Sequence, residues 1–211
     1  MDMMSIETEI WGQGYKTVAF VDEVGRGCLF GDVVAAAIVL PIGLKIDGVN
    51  DSKKLSAKKR ESLFVIIKDR SIAIGIGIVS AEEIDRINIR NASKLAMKKA
   101  VEKLTSSNGE KVIADFIMID AENIEIDLPQ KAIIKGDSLS HGIAAASIIA
   151  KVTRDKMCLE WAKDYPAYGL EKHKGYATKM HKEALLEYGA SNLHRRSFLK
   201  KILKVNQGSR D

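Results

Sequence analysis

Short apolar segments that end abruptly in polar residues are the dominant pattern of this sequence. Residues 17–21 (TVAFV) are β-branched and aromatic, and Asp22 and Glu23 follow them directly. Such runs are far shorter than the roughly 20 apolar residues of a membrane span, so they predict buried strands. The strands predicted in this way lie at residues 17–21, 33–40, 71–79, 116–119 and 131–134.

Helical segments alternate with these strands. Ser56 is a predicted N-cap, and Ser80 with Glu83 three residues later has the spacing of a capping box. The predicted helices cover residues 56–68, a short stretch after 80, and residues 91–104, 140–163 and 178–188. Strands alternating with helices predict an α/β or mixed-sheet fold, here with a helical C-terminal extension, and a chain of 211 residues suits one compact domain.

Charge is concentrated near the C-terminus. The chain carries a net charge of +5, and residues 171–211 contain ten Lys or Arg against four Asp or Glu. A basic region of this kind suits a polyphosphate ligand, although an ordinary solvated helical surface is the alternative. The acidic N-terminus lacks the features of a signal peptide, and two cysteines suit a reducing compartment, so we expect a cytoplasmic protein.

Carboxylates stand at the ends of predicted strands. Asp22 and Glu23 close the first strand, Asp120 closes the fourth, and Asp137 precedes a helix. Turn or cap roles are the alternative for each acid. If the first and fourth strands are neighbours, Asp22 and Asp120 face each other at an edge where α/β folds bind ligands.

The donor types around these acids indicate which metal would suit them. The four histidines lack the HExxH spacing and the chain contains no CxxC, which argues against zinc. All-oxygen ligation indicates Mg²⁺ or Mn²⁺. Four carboxylates could hold two such ions, the arrangement that displaces a phosphodiester oxygen in line.

Nine segments of the chain together resemble ribonuclease HII, the type 2 ribonuclease H family. They are VDEVGRG (21–27), VVAAAIVLP (33–41), NDSKKLS (50–56), ID (119–120), KGD (135–137), IAAASIIAKVTRD (143–155), YPAYG (165–169), HKGYAT (173–178) and HRRSF (194–198). The resemblance implies a ribonuclease H-like fold with a central mixed five-stranded sheet. It divides the chain into an N-terminal tail (1–16), a catalytic core (17–165) and a helical, basic substrate-binding region (166–211).

The resemblance also implies an activity. The family consists of metal-dependent endoribonucleases that cut the RNA strand of RNA–DNA hybrids and cut 5′ to single ribonucleotides in duplex DNA, leaving 3′-hydroxyl and 5′-phosphate ends. The family's four catalytic and metal-binding acids fall on Asp22, Glu23, Asp120 and Asp137. We therefore expect Mg²⁺ or Mn²⁺ as cofactor, two ions with substrate bound, a nucleic-acid partner and no membrane, and a monomeric chain.

Substrate contacts follow from the same resemblance. The loop of Gly25, Arg26 and Gly27 would sense the 2′-hydroxyl at the RNA–DNA junction, mainly through backbone atoms, and Tyr176 would stack on the next deoxyribose. A tyrosine half-buried beneath a helix start is the alternative for Tyr176. The implied phosphate contacts are Asn50, Ser52, Lys53, Ser147 and Lys151. Both lysines could instead be solvated surface residues, and Arg154 with Asp155 could form a structural ion pair outside the site.

Four positions depart from the family pattern, namely Cys28, Asp32, His141 and Ala177. Of these, Asp32 would add negative charge near the metal loop unless it is turned away. Three other functions compete with this interpretation. Ribonuclease HIII typically has Gly-Thr-Gly in place of residues 25–27, a non-catalytic binding module would be expected to have lost a metal acid, and a small-molecule phosphatase would not need the basic C-terminal region.

Overall fold

A mixed sheet of five strands forms the centre of the molecule, with β1 (Val18–Val24) in its middle. In the computed structural model, which describes residues 2–204, β1 pairs antiparallel with β2 (Val33–Val39) and parallel with β4 (Phe116–Asp120). β3 (Ala73–Val79) and β5 (Gln130–Ile133) form the edges, giving the order β3-β2-β1-β4-β5. All five predicted strands form, and the first and fourth are neighbours, as the position of the candidate site requires.

Helices cover both faces of this sheet. α6 (His141–Asp164) packs on one face, and α4 (Ile89–Glu102) packs on the other. The remaining helices are α1 (Ser5–Gly12), α2 (Ala57–Arg70), α3 (Ala81–Ile87), α5 (Gly136–Leu139), α7 (Leu170–His173), α8 (Lys179–Tyr188) and α9 (Arg196–Lys204). Within residues 2–204, no helix is long and apolar enough to cross a membrane.

Side-chain caps explain where several helices begin. Ser56, Ser80, Ser140 and Thr178 each accept a hydrogen bond at the side-chain oxygen from the backbone N–H three residues later. This bond satisfies one of the donors that a helix N-terminus leaves unpaired. The predicted starts of α2, α3, α6 and α8 are therefore confirmed.

Two apolar cores lie on opposite faces of the sheet, because side chains alternate along each strand. Val18 and Phe20 of β1 point into the core beneath α6, whereas Ala19 and Val21 point into the core beneath α4. At Gly77 of β3 an added Cβ would overlap a backbone carbonyl of α4, so the helix approaches the strand more closely than a side chain would allow.

The N-terminal segment is not simply a tail. Glu7 of α1 is fully buried, and its Oε1 accepts hydrogen bonds from Ser140 Oγ at 2.8 Å and from Gly142 N at 2.6 Å. α1 therefore caps the start of α6, where a negative charge is favourable. Within the predicted N-terminal tail (1–16), residues 5–12 therefore form a helix that contacts the core, and a carboxylate that caps a distant helix leaves no local sequence pattern.

Candidate active site

Three acids meet at the carboxyl ends of the two central parallel strands. Val21 and Ile119 are the last registered pair of β1 and β4, so Asp22 and Asp120 follow side by side. One carboxylate oxygen each from Asp22, Glu23 and Asp120 lie within 4.8 Å of one another. Asp22 and Asp120 therefore lie close together, as expected if the first and fourth strands are neighbours.

Burial and mutual repulsion make this cluster electrostatically unfavourable by itself. Burial raises the pKa of Asp22 well above its ordinary value, and repulsion from Glu23 and Asp120 raises it further. The pKa values of Glu23 and Asp120 are also raised, chiefly by burial, although Arg26 opposes the shift at Glu23 and the Gly136 N–H opposes it at Asp120. Such a cluster is stabilised by a bound cation.

Asp137 lies beside this triad but is bound to a lysine. Its Oδ2 accepts a hydrogen bond from Lys53 Nζ at 3.2 Å, while Asp120 Oδ1 accepts one from the neighbouring Gly136 N at 2.6 Å. Partial burial opposes the charge of Lys53, yet its hydrogen bond and attraction to Asp137 leave the pKa of Lys53 raised. The structure thus brings three predicted acids into one cluster and places the fourth next to it, paired with Lys53.

The donor set fits a hard divalent cation. Asp22, Glu23 and Asp120 supply oxygen atoms only and are at least partly buried, and repulsion from neighbouring carboxylates adds to the rise in pKa that burial causes. Oxygen ligands at this spacing are those that Mg²⁺, Mn²⁺ and Ca²⁺ use in proteins. The cluster can therefore bind a metal ion.

The glycine-rich loop after β1 is held against the acids. Arg26 Nη1 donates to Glu23 Oε1 at 3.2 Å. Gly25 has a φ of +95°, and an added Cβ would overlap the guanidinium of Arg154, so both backbone conformation and space require glycine. Gly27, which follows Arg26 in this loop, is exposed, so its backbone is open to a ligand.

Tyr176 lies next to this loop, although about 150 residues separate them. Tyr176 and Cys28 form an isolated antiparallel bridge, and the aromatic ring of Tyr176 lies beside Gly27. The side chain remains partly open, with 41% of the residue exposed. An aromatic ring and an exposed backbone loop therefore share one surface next to the acids.

The predicted phosphate-binding residues are distributed unevenly around this surface. Asn50 and Lys53 are exposed, and Ser52 is buried beside them at the start of a 3₁₀ turn. Ser147 is buried and donates from Oγ to the Ala144 carbonyl at 2.9 Å. The structure therefore places the 50–53 loop beside the acids and occupies the Ser147 hydroxyl within its own helix.

Two basic residues of α6 are engaged in hydrogen bonds within the protein. Lys151 Nζ donates to Asp155 at 2.5 Å, so this lysine is paired within the helix. The suggested ion pair between Arg154 and Asp155 does not form, because Arg154 is fully buried and donates to backbone carbonyls instead. Sequence reasoning left Arg154 out of the site and did not consider Arg195. Both arginines lie in segments that resemble the family, KVTRD and HRRSF, but a sequence motif does not reveal that a side chain is buried.

The departures from the family pattern have structural roles. Asp32 Oδ1 accepts from the Ala81 N–H at 3.3 Å at the start of α3, so this acid is engaged away from the triad. His141 Nε2 accepts from the Ile46 N–H at 3.0 Å, so this side chain anchors the segment that leads into the 50–53 loop. Cys28 is buried opposite Tyr176.

Comparison with known proteins agrees with this geometry. The family model described as Ribonuclease HII matches residues 19–201. Ribonuclease HII of Alkaliphilus metalliredigens is 62% identical over 204 residues, covering 97% of this chain and 100% of the relative. Ribonuclease HII of Bacillus subtilis is 49% identical over 198 residues, covering 94% of this chain and 75% of the relative.

Solved structures show the same fold. Ribonuclease H2 from Pyrococcus horikoshii OT3 superimposes with a TM-score of 0.73 at 26% identity, covering 90% of this chain and 99% of that one. A ribonuclease HIII crystallised with Mn²⁺ superimposes with a TM-score of 0.66 at 20% identity, covering 92% and 71% respectively, which supports the fold alone. The ribonuclease H-like fold and its helical C-terminal part are confirmed, and the chain is a nuclease that belongs to the ribonuclease HII family.

Proposed function

We propose that this chain is an endoribonuclease that hydrolyses the RNA strand of RNA–DNA hybrids and cuts 5′ to ribonucleotides embedded in duplex DNA. The products would carry 3′-hydroxyl and 5′-phosphate ends. The observation that carries this proposal is the triad of Asp22, Glu23 and Asp120 beside the glycine-rich loop of residues 25–27, which is exposed at Gly27, and beside Tyr176. The family membership supports the same assignment.

The acids provide the hydrolytic chemistry in this proposal. Asp22, Glu23, Asp120 and Asp137 would hold two Mg²⁺ or Mn²⁺ ions when substrate is bound. Such ions activate a water molecule and stabilise the leaving oxygen of a phosphodiester. Lys53 would leave Asp137 and turn to a phosphate, because its side chain is 80% exposed and its ammonium is hydrogen-bonded to a single carboxylate.

Recognition of ribose would come from the adjoining surface. Only the 2′-hydroxyl distinguishes RNA from DNA at one nucleotide, and the loop of residues 25–27, joined to the acids by the Arg26–Glu23 hydrogen bond, would read it through its backbone groups. Tyr176 would stack on the following deoxyribose with its exposed ring face. Asn50, Ser52, Ser147 and Lys151 remain proposed phosphate contacts. Lys151 would first have to release Asp155, and Ser147 would have to rotate away from its own helix.

The division of labour between segments is part of the proposal. Residues 17–165 would form the catalytic core, and residues 166–211 would bind the duplex through their basic surface; residues 205–211 lie outside the described part of the chain. Electrostatic binding of this kind weakens steeply as salt rises. We also propose a monomeric, cytoplasmic protein.

A cleavage assay on two substrates tests the proposed function. One end-labelled DNA duplex carries a single ribonucleotide, and the second substrate is a long RNA–DNA hybrid, each incubated with Mg²⁺ or Mn²⁺. We expect one cut 5′ to the ribonucleotide and multiple cuts in the hybrid RNA, with 3′-hydroxyl ends. Asp120→Asn is the matched inactive control. Tight binding without metal-dependent cutting would favour a non-catalytic module, and activity confined to small phosphate esters would favour a phosphatase.

A further inference from the structure

Two arginines behind the proposed recognition surface are buried with no carboxylate of the described residues at salt-bridge distance, although the charge of Asp32 is near enough to attract both. Arg154 of α6 and Arg195, just before α9, are both 0% exposed. Within residues 2–204, neither guanidinium forms an ion pair with a carboxylate at salt-bridge distance. Burying a charged group without such a pair costs several kcal/mol, so two such residues at one place call for a reason beyond packing.

Arg154 joins two distant segments through backbone carbonyls. Its Nε donates to the Asp32 carbonyl at 2.9 Å, its Nη2 to the Phe30 carbonyl at 2.9 Å, and its Nη1 to the Lys174 carbonyl at 2.8 Å. The guanidinium also packs against Gly25, where no side chain could fit. One planar group thus touches the glycine-rich loop, the segment between that loop and β2, and the segment that carries Tyr176.

Arg195 holds the same loop from the other side. Its Nε donates to the Gly31 carbonyl at 2.8 Å, and its Nη1 donates to the Arg26 carbonyl at 3.0 Å. Its Nη2 is buried and has no hydrogen-bond partner. Burial lowers the pKa of Arg195 to about 10, which still leaves it charged at neutral pH.

Backbone hydrogen bonds connect these segments into one short ribbon. Leu29 N donates to the Gly175 carbonyl at 2.8 Å, and Arg195 N donates to the Leu29 carbonyl at 2.9 Å. Gly31 N donates to the Leu193 carbonyl at 2.8 Å. The residues that follow the glycine-rich loop are therefore flanked by the Tyr176 segment and by the segment before α9.

We propose that Arg154 and Arg195 are positioning residues that fix the 25–27 loop and Tyr176 relative to each other as one recognition unit for the RNA–DNA junction. This inference rests on the proposed function. Neither arginine touches substrate; each acts through the carbonyls it binds. The forked, planar guanidinium can reach several carbonyls at once, whereas a lysine ammonium keeps the charge but cannot reproduce that geometry.

The Arg154→Lys variant tests this proposal because it preserves charge and removes the fork. We expect kcat/KM on the single-ribonucleotide duplex to fall about tenfold more than on the long hybrid, since a misplaced recognition group costs most where only one junction is available. Tyr176→Ala should show the same selective loss. In the double variant, kcat/KM on the single-ribonucleotide duplex should be no more than about twofold below that of Tyr176→Ala alone, because both changes disable the same unit.

Arg60→Lys is the matched control. Arg60 Nη1 also donates to two carbonyls, that of Ser52 in the 50–53 loop and that of Leu55 just after it, and neither belongs to the proposed unit. This variant should lower cleavage of both substrates by similar factors. Equal losses on both substrates in Arg154→Lys, or losses that multiply in the double variant, would overturn the inference.

A second variant and an exchange measurement keep the test decisive if Arg154→Lys does not fold. Arg195→Lys loosens only the loop side of the unit and should show the same selective loss. In the wild-type protein, the amides of Leu29, Gly31 and Arg195 should exchange slowly with solvent, and fast exchange there would refute a fixed unit. A wild-type protein that cuts neither substrate refutes the proposed function, whereas an active wild type with unselective variants refutes only this inference.

Discussion

The ammonium of Lys53 lies 3.2 Å from Oδ2 of Asp137, so the fourth acid of the site is paired with a cation of the protein itself. The other three acids form their own cluster. A positive charge beside a metal site repels an entering cation, but the same charge can attract a phosphate. Lys53 is therefore expected to oppose metal binding and to favour substrate binding.

This relationship predicts that removing the charge of Lys53 strengthens metal binding but weakens catalysis. In Lys53→Gln, the dissociation constant for Mn²⁺ measured by calorimetry should fall several-fold, while kcat/KM on the hybrid should fall about tenfold. Lys54→Gln is the control, because it removes the same charge from a neighbouring residue that faces Asp51 instead. Weaker Mn²⁺ binding in Lys53→Gln would contradict the assignment.

The buried position of Asp22 predicts an exchange of stability for activity. Asp22→Asn should abolish cleavage yet retain hybrid binding, because an amide is a poor metal ligand and the basic surface is untouched. The raised pKa of Asp22 means that its charged form is unfavourable in the folded protein at neutral pH. Without metal, the free energy of unfolding of Asp22→Asn should therefore exceed that of the wild type by on the order of 1 kcal/mol.

Urea unfolding with and without Mn²⁺ checks this prediction. The wild-type protein should gain stability on adding Mn²⁺, and Asp22→Asn should gain much less. Glu125→Gln, outside the acidic cluster, should respond to Mn²⁺ as the wild type does. Retained turnover in Asp22→Asn would remove the proposed role of this acid.

The sequence predicted the strands and the acids at their ends because residue identity and strand endings are local features, whereas the adjacency of the first and fourth strands was only a condition of the predicted site. A run such as 17–21 followed by Asp22 can be recognised without knowing what it packs against. Buried contacts between distant segments cannot be recognised in this way. The sequence suggests an ion pair between Arg154 and Asp155. In the structure, the Arg154 guanidinium instead donates to carbonyls between β1 and β2, more than 100 residues away in sequence.

The same limit explains the missed role of α1. Glu7 looked like one of several acids in a polar tail, yet it supplies two hydrogen bonds to the first turn of α6. A capping oxygen contributed by another element depends on tertiary packing, so no i to i+3 spacing indicates it. Local caps such as Ser140, by contrast, were predictable.

Glu7 therefore gives a test of how far α1 supports the fold. Glu7→Ala should lower the free energy of unfolding by about 2 kcal/mol, since it leaves the buried Gly142 N–H and Ser140 hydroxyl without their acceptor. Glu9→Ala is the matched control on the same helix, because Glu9 is exposed and its carboxylate contacts the side chains of Lys131 at 3.4 Å and Gln13 at 3.5 Å. Equal stability of the two variants, measured by urea unfolding at pH 7, would show that the contact contributes little.

Two buried histidines beneath Tyr176 predict how stability depends on pH. His181 Nδ1 donates to the Tyr176 carbonyl at 2.9 Å, which leaves its Nε2 to accept from His194 Nε2 at 3.1 Å. His194 Nδ1 in turn accepts from the Ser191 N–H at 3.0 Å. This order of donors and acceptors requires both rings to be neutral.

Burial lowers the pKa of His194 to about 3, with repulsion from His181 and Arg196 adding to the effect. The unfolded chain binds this proton near pH 6.5, so between these values the unfolded state holds more protons and stability falls as pH falls. Raised pKa values at the buried acids act in the opposite direction. Comparing His194→Gln with the wild type at each pH cancels that contribution.

We expect the wild type to be more stable than His194→Gln at pH 7, and this difference to shrink by roughly 1 to 2 kcal/mol at pH 5. Urea unfolding at pH 5, 6 and 7 measures it. Lys182→Gln, on the exposed side of α8, should parallel the wild type at every pH. If the stability difference between wild type and His194→Gln stays constant from pH 7 to pH 5, His194 takes up its proton equally well in the folded and unfolded states. The hydrogen-bonded chain of neutral rings that leads to Tyr176 does not allow this outcome.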